Sequence, residues 1–143
     1  LTKFFLKIQD VLKKKVEIAV HPTTNFNEIK KMFKNFRCEV YNTKDLIKNA
    51  DILLFHESSS IIDGIIMNKK IISMKVKCMG KYYSFRNNLY DQELKCKNVN
   101  LDQKININKL FNSKIKKNFN NFKKNHIFVT RKNKSINDLL DLM

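Results

Sequence analysis

The sequence predicts an α/β domain: a Rossmann-like, three-layer structure with a mostly parallel sheet and helices on both faces. Short apolar runs typical of buried strands alternate with segments whose apolar residues recur at helical spacing, which is the pattern of successive βαβ units. The 143 residues suffice for one domain with its own core, and they contain no internal repeat or low-complexity linker. We therefore expect residues 1–143 to form a single domain.

The first third of the chain predicts three helices and two strands. In order, these are a helix over Thr2–Lys14, a strand over Val16–Val20, a helix over Asn25–Asn35, a strand over Cys38–Tyr41 and a helix over Lys44–Asn49. Asn25 and Thr43 stand directly before or at the start of two of these helices, where a short polar side chain caps the first N–H groups.

The remainder of the chain continues the alternation and then loses it. A strand over Asp51–Phe55, a helix ending at Asn68 and a strand over Lys70–Val76 complete the pattern. A polar and aromatic loop over Met79–Asn88, an edge strand over Leu94–Val99, a helix over Ile107–Phe122, a short apolar stretch over Ile127–Thr130 and a helix over Ile136–Leu142 are predicted to follow.

The segment that begins at Ala50 is the most informative one, and it reads ADILLFHESSSIIDGIIMNKKIIS. Its polar turn holds Ser58, Ser59 and Ser60 where the helix should begin. The first N–H groups of a helix and its positive dipole end can hold a phosphate, so we predict a phosphate site there. The alternative is that the serines only cap the helix. Asp63, one turn further, either interacts with the helix start or reaches a ribose hydroxyl.

Two histidines are predicted to lie at the ligand-binding edge of the sheet. His21 follows the first strand and His56 follows the third. In open parallel sheets, ligands bind beyond the carboxyl ends of the strands, where an imidazole can act as acid, base or phosphate donor. Lys75 and Lys77 leave the fourth strand beside this edge, and Lys75 is the candidate for neutralising a diphosphate. A structural role for either histidine is the alternative.

The net charge of +16 would ordinarily predict a nucleic acid or an anionic membrane as partner. However, only three of the 29 basic residues are arginine, the side chain best suited to reading phosphates and base edges. We interpret most lysines as solvated surface charges and expect no specific nucleic-acid partner, with a polyanion-binding face as the alternative. Peripheral contact with an anionic membrane and a cytoplasmic location, at the inner face of that membrane, are further expectations.

Metal and thiol chemistry have no support in the sequence. The three cysteines do not fall in zinc-ligand spacing with the histidines, so we predict no metal site and interpret the cysteines as buried free thiols. A Cys–His nucleophilic pair stays open as an alternative. The sequence also lacks an apolar run long enough to span a bilayer.

A family resemblance follows from the segment between Ser59 and Ile72. Ser59 and Ser60 are followed, after two further positions, by the acidic residue Asp63 and by Gly64. Asn68 and Lys69 come next, and after one more residue the β-branched Ile71 and Ile72 complete the pattern. This pattern, with the strand that ends in His-Pro upstream, resembles the C-terminal half of GT-B glycosyltransferases of bacterial surface polysaccharide synthesis. The tail from Asn125 to Met143 resembles the end of such domains. Where the family usually has Gly-Lys-Pro, this chain has Asn-Lys-Lys, and Asn68 can adopt the left-handed conformation of the glycine.

The resemblance implies a function and assigns roles. The chain would be the donor-binding half of a metal-independent glycosyltransferase, with a nucleotide-activated sugar or polyol as substrate and no cofactor. Ser59 and Ser60 would face the donor phosphates, Asp63 the ribose, and His21 the phosphate region or the transfer step. Since the N-terminal acceptor domain is absent and the chain begins at Leu1, we expect a fragment whose partner in cis is that missing domain.

Three other readings stay open at this point. A nucleotide-sugar 2-epimerase has a domain built similarly, and it would need further carboxylates and histidines from the missing half. A basic α/β module could bind RNA or another polyanion through its lysines and the aromatic residues Tyr82, Tyr83 and Phe85. A degenerate domain would keep the fold without the site.

Overall fold

The computed structural model describes residues 1–56 and 58–127, and it confirms the α/β, Rossmann-like fold. Helices and strands alternate along this part of the chain. The helices are α1 (Thr2–Leu12), α2 (Phe26–Met32), α3 (Thr43–Asn49), α4 (Ile61–Ile66), α5 (Gly80–Leu94), α6 (Ile107–Asn112) and α7 (Asn120–Phe122). The strands are β1 (Glu17–Val20), β2 (Arg37–Val40), β3 (Ile52–Phe55), β4 (Lys70–Lys75) and β5 (Lys97–Asn100). A 3₁₀ turn over Lys77–Met79 precedes α5, and a π turn over Lys123–Ile127 follows α7.

The described strands form two small parallel sheets, whereas the sequence suggested one. Strand β1 pairs with β2, and β3, β4 and β5 pair in that order. In the larger sheet Ile52 lies opposite Lys70 and Ile72 lies opposite Lys97, so the three strands run in parallel and in register. Their carboxyl ends therefore share one edge.

Helices cover both faces of the larger sheet, as predicted. Successive side chains of a strand point to opposite faces. On one face, Ile72 and Met74 of β4 pack in a cluster with residues of α1, α2 and α6, and partly buried residues of β1 and β2 join the same cluster. On the other face, Ile71 belongs to a second cluster with residues of α4 and α5 and with Phe119. The first cluster therefore connects the two sheets through side chains.

The predicted loop over Met79–Asn88 is wrong, because α5 occupies this segment. The helical period was hidden because α5 has large apolar side chains on its outward side and a buried asparagine, Asn87, on its inward side. The predicted edge strand is shifted for the same reason. Leu94 is the last residue of α5, and β5 begins only at Lys97.

The predicted helix over Ile107–Phe122 ends early, at Asn112. Ser113 lies beyond its end and donates its hydroxyl hydrogen to the carbonyl oxygen of Leu110 at 2.9 Å. The next residues are irregular, yet Ile115 and Phe119 are buried as the apolar stripe predicts. Tertiary contacts replace helical ones there, since the Ile71 N–H donates to the carbonyl oxygen of Lys116 at 3.3 Å. Apart from residue 127, the predicted stretch over 127–130 and the helix over 136–142 lie outside the described residues.

One predicted helix cap is present and one is not. The side chain of Asn25 accepts hydrogen bonds from the backbone N–H groups of Asn27 and Glu28, which confirms it as the cap of α2. Thr43 is wrong as a cap because it is already the first residue of α3. Asn42 takes the capping position and makes no side-chain bond to the helix start.

The helix ends show how a chain with only two glycines terminates its helices. Glycine usually supplies the left-handed residue after a helix. Here Lys13, Asn68 and Lys95 follow α1, α4 and α5 with φ angles of 52°, 53° and 47°. The expectation that Asn68 adopts the left-handed conformation is therefore confirmed.

Lysine amines satisfy carbonyl groups in the last turns of three helices, α3, α4 and α5. The Nζ atom of Lys69 donates to the carbonyl oxygen of Lys48 in α3, at 2.6 Å. Lys116 donates to Leu94, the last residue of α5, at 2.7 Å. Lys123, which is buried, donates to Ile66, the last residue of α4, at 3.3 Å and to the Asn68 side chain at 2.8 Å. These three lysines have structural roles, contrary to a purely solvated lysine surface.

Replacing Lys95 by glycine should stabilise the protein. A non-glycine residue in the left-handed region is strained, and removing this strain outweighs the added freedom of the unfolded chain. We expect Lys95→Gly to raise the free energy of unfolding by about 0.5–1 kcal/mol. Lys95→Ala is the control, since it removes the same exposed side chain but keeps the strain. Equal urea-unfolding curves for the two variants would contradict this account.

Gly64 allows α4 to approach β3 closely. A Cβ atom at this position would lie 2.6 Å from Cδ2 of Leu53. We expect Gly64→Ala to destabilise the protein by about 1–3 kcal/mol through overpacking. In a Leu53→Ala background, the same change should instead stabilise by up to about 1 kcal/mol through helix propensity. Urea unfolding of the four proteins checks this, and additive effects would refute the packing explanation.

Candidate functional site

The two predicted histidines both lie directly beyond the carboxyl end of a strand. His21 follows β1 and His56 follows β3, and both are exposed. Their strands belong to different sheets, however, with β1 in the two-stranded sheet and β3 at one edge of the three-stranded sheet. The polypeptide passes from β1 to β2 in one sheet and then starts the other sheet at β3. The prediction that both histidines lie at the edge of one sheet is therefore wrong, although each lies beyond the carboxyl end of a parallel strand, where ligands of open α/β folds bind.

Hydrogen bonding determines which nitrogen of the His21 ring carries the proton. The backbone N–H of Thr23 donates to Nδ1 at 3.3 Å, and the Thr23 hydroxyl lies 2.8 Å from the same atom. A backbone N–H can only donate, so Nδ1 accepts and the proton of the neutral ring is on Nε2. In this state His21 offers a hydrogen-bond donor, not a base, to any ligand beside it.

The serine turn does not cap α4. The hydroxyl groups of Ser58 and Ser60 lie 2.7 Å from each other, and Ser60 makes no side-chain bond to the helix start. The N–H groups of the first three helical residues donate to the carbonyl oxygens of Ser58, Ser59 and Ser60 at 3.1–3.2 Å. The prediction that these three N–H groups are free for a phosphate is therefore wrong. What the turn offers is its hydroxyls, with Ser59 exposed and the other two half-buried.

Asp63 lies in the first turn of α4, as predicted, and it is half-buried. Its backbone N–H donates to the carbonyl oxygen of Ser60. A carboxylate in this position is favourable for the helix because it faces the positive end of the dipole. The structure thus supports the role at the helix start, and it leaves a ribose contact to be tested. Glu57 lies outside the described residues.

Lys75 is paired within the protein. Its Nζ atom lies 2.6 Å from Oδ2 of Asp91 and 3.0 Å from Oδ1 of Asn88, both in α5. Asp91 is largely buried, so the pair is partly shielded from water. Lys75 would have to leave this carboxylate to neutralise a diphosphate. The backbone N–H of Lys77 beside it donates to the Asp102 carboxylate at 2.7 Å.

Sequence reasoning missed a buried polar cluster between β4 and α5. Ser73 and Asn87 are buried, and the Asn87 amide donates to the Ser73 hydroxyl at 3.1 Å and to the Met74 carbonyl at 3.3 Å. A serine within the apolar run of β4 was the available signal. Its partners were overlooked because residues 79–88 were read as a loop.

The cysteines differ in their surroundings. Burial, followed by the nearby Asp91 carboxylate, raises the pKa of the Cys96 thiol to about 11. Burial also raises the pKa of the half-buried Cys38. Cys78 is exposed, so the interpretation of all three as buried thiols is wrong for this residue. Within the described residues, no group of three or more His, Cys, Asp or Glu side chains could hold a metal ion.

Two depressions lie on the surface away from the serine turn. One, of about 530 Å³, is open and lined by Asn27, Lys30, Lys31 and Lys34 on and beside one face of α2. The other, of about 280 Å³, lies beside α5 and is lined by Arg86, Leu89, Tyr90, Glu93, Phe122 and His126. Neither depression is lined by His21, His56 or the serines.

Comparisons with protein-family models, with curated proteins and with solved structures found no match to this chain. In the part of the chain that the structure describes, none of the helices has the length and apolarity needed to cross a membrane.

The hydrogen bonds of His21 predict its tautomer. We expect the neutral ring to carry its proton on Nε2, because Nδ1 accepts from the Thr23 backbone. Long-range ¹H–¹⁵N correlation spectra distinguish the two nitrogens directly. A Thr23→Ala variant is the control, since it removes the hydroxyl but keeps the backbone donor and should leave the tautomer unchanged. A ring protonated on Nδ1 would contradict the hydrogen bonding described here.

Proposed function

We propose that this chain is the donor-binding part of an enzyme that uses a nucleotide-activated sugar or polyol, in the manner of a GT-B glycosyltransferase. One observation carries the proposal. In a Rossmann-like parallel fold, the two loops that follow β1 and β3 bear exposed histidines at the change from one sheet to the other. Loops beyond the carboxyl ends of parallel strands are where open α/β folds bind nucleotides.

The side chains of the β3 loop suit the phosphates of such a donor. The Ser58 and Ser60 hydroxyls bond to each other and not to the helix, so a ligand can replace this contact without uncapping α4. Ser59 is exposed beside them. Hydroxyls, and N–H donors such as Nε2–H of His21, are groups that bind an anion without a metal ion.

The positive charge near this edge is limited by Asp91, which holds Lys75. Therefore a diphosphate would be bound first by the hydroxyls and histidines, and Lys75 would contribute only by exchanging its carboxylate partner for the phosphate. Such an exchange loses one ion pair to gain another, so the expected gain in affinity from Lys75 is small.

A basic module that binds RNA or another polyanion is the second candidate function. It is favoured by a different observation, namely that Lys30, Lys31 and Lys34 line one open depression on α2. Binding there would be electrostatic and would weaken steeply with salt. The two candidates use different surfaces, and the residues that respond to a ligand distinguish them.

A titration with uridine or cytidine diphosphate tests the first candidate. We expect chemical-shift changes at His21, His56 and Ser58–Ser60. The dissociation constant should be in the millimolar range, which corresponds to a binding free energy of about 4 kcal/mol in magnitude. Ser60→Asp should weaken binding at least about tenfold, because the added carboxylate repels phosphate while it suits a helix start. Shifts in α2 on adding an oligonucleotide, without a response to the diphosphates, would favour the polyanion candidate.

Thr43→Asp is the matched control for this experiment. It places the same carboxylate in the first turn of α3, another short helix, and adds the same charge to the protein. We expect it to leave diphosphate binding unchanged. If Ser60→Asp and Thr43→Asp bind the diphosphates as the unmodified protein does, the serine turn is not the phosphate site.

A further inference from the structure

The outer face of α5, formed by Tyr82, Phe85 and Leu89, is apolar and exposed. Tyr82, Phe85 and Leu89 follow a spacing of three and four residues, so they lie on one side of the helix. Phe85 is 63% exposed and Leu89 is 46% exposed, whereas Asn87 and Leu94 on the inward side are buried. Large apolar side chains concentrated on one exposed helix face indicate an interaction surface.

The charges around this face favour an anionic partner. Residues 77–90 contain three basic residues, Lys77, Lys81 and Arg86, and no acidic residue. The whole chain also has a net charge of +16, so a second copy of the protein would bring like charge to this face. Of the two carboxylates further along α5, Asp91 pairs with Lys75, whereas Glu93, one turn beyond Leu89, lies 3.4 Å from His126 at the far end of this face.

The two tyrosine rings at the start of α5 are arranged poorly for stacking on nucleic-acid bases. The guanidinium of Arg86 lies 5.7 Å from the centroid of the Tyr82 ring and donates to the Tyr82 hydroxyl at 3.1 Å. Tyr83 packs edge-on against the same ring, with centroids 5.4 Å apart. Leu89 has no ring at all. Base stacking needs open ring faces, whereas insertion into lipid needs only apolar volume.

We propose that the outer face of α5 binds the surface of an anionic lipid bilayer. Phe85 and Leu89 enter the boundary between head groups and acyl chains, and the tyrosine hydroxyls stay at the level of the head groups. Lys81 lies beside them and reaches the lipid phosphates, as basic side chains do at membrane surfaces. This binding is independent of the proposed nucleotide site, since it uses none of the residues of the serine turn.

A single tryptophan reports this contact directly, because the chain contains none. Phe85→Trp should show a blue-shifted emission when vesicles of phosphatidylcholine with phosphatidylglycerol are added, and a much smaller shift with phosphatidylcholine alone. Met32→Trp is the control, at a residue of α2 with a similar exposure of 61%. An unshifted emission for Phe85→Trp, or equal shifts for both variants, would overturn the proposal.

Vesicle sedimentation measures how much the apolar side chains contribute. The double variant Phe85→Gln/Leu89→Gln should bind anionic vesicles about tenfold more weakly or worse. The double variant Met32→Gln/Ile66→Gln is matched to it in exposure, at 61% and 44%, and should bind normally. Both keep the net charge and should keep the fold, which circular dichroism verifies. Equal binding by the two double variants would refute the proposed face.

Charge-reversing substitutions distinguish the effect of a lysine beside this face from the effect of the net charge of the whole protein. Lys81→Glu should weaken binding to anionic vesicles more than Lys34→Glu, although both lower the net charge equally. Equal weakening would show that only the overall charge matters and would contradict the assigned face. A further outcome would also show that the proposal is wrong, namely that vesicles bind neither the unmodified protein nor Phe85→Gln/Leu89→Gln. If this double variant then loses binding of a single-stranded oligonucleotide, the occupant of the face is a nucleic acid. If it loses self-association in sedimentation velocity, the occupant is a second copy of the protein.

Discussion

The structure depends on β4 being buried on both faces. Its residues alternate between two apolar clusters, with Ile71 in one and Ile72 and Met74 in the other. It also pairs with β3 on one side and β5 on the other, so its backbone groups are hydrogen-bonded along both edges while its side chains pack on both faces. Both helical layers pack against β4, and β3 pairs with it. The position of β4 therefore determines where the loop after β3 and its serines lie. A buried central strand of this kind is what a parallel sheet requires.

Helix α5 connects the two functional surfaces proposed for this protein. Its inward side is held to β4 by polar contacts as well as apolar ones, through Asn87 to Ser73 and through Asp91 to Lys75. These pairs have defined directions and fix the rotation of the helix about its axis. The apolar outer face is therefore presented on the side opposite to the sheet. A lysine that the sequence assigned to a ligand thus also determines how α5 presents its surface.

The sequence predicted the first four strands and the helices between them because each follows a clear period and has a polar residue at its boundary. It failed where tertiary structure overrides the local pattern. Helix α5 was missed because both of its sides carry apolar residues, and α6 was extended because Ile115 and Phe119 keep a helical spacing in an irregular segment. At the candidate site, the strand-end positions of His21 and His56 were predictable. The use of the first N–H groups of α4 by the serine carbonyls was not, because it depends on backbone geometry.

The lysine contacts at helix ends have a consequence for the order in which the chain acquires structure during synthesis. Lys69 reaches α3 across 21 residues and Lys116 reaches α5 across 22, but Lys123 reaches the end of α4 across 57. A glycine terminates a helix as soon as it leaves the ribosome, whereas an amine supplied from a later segment arrives only when that segment has been translated. The contact of Lys123 with the end of α4, the helix that follows the serine turn, can therefore form only after residue 123 has been translated.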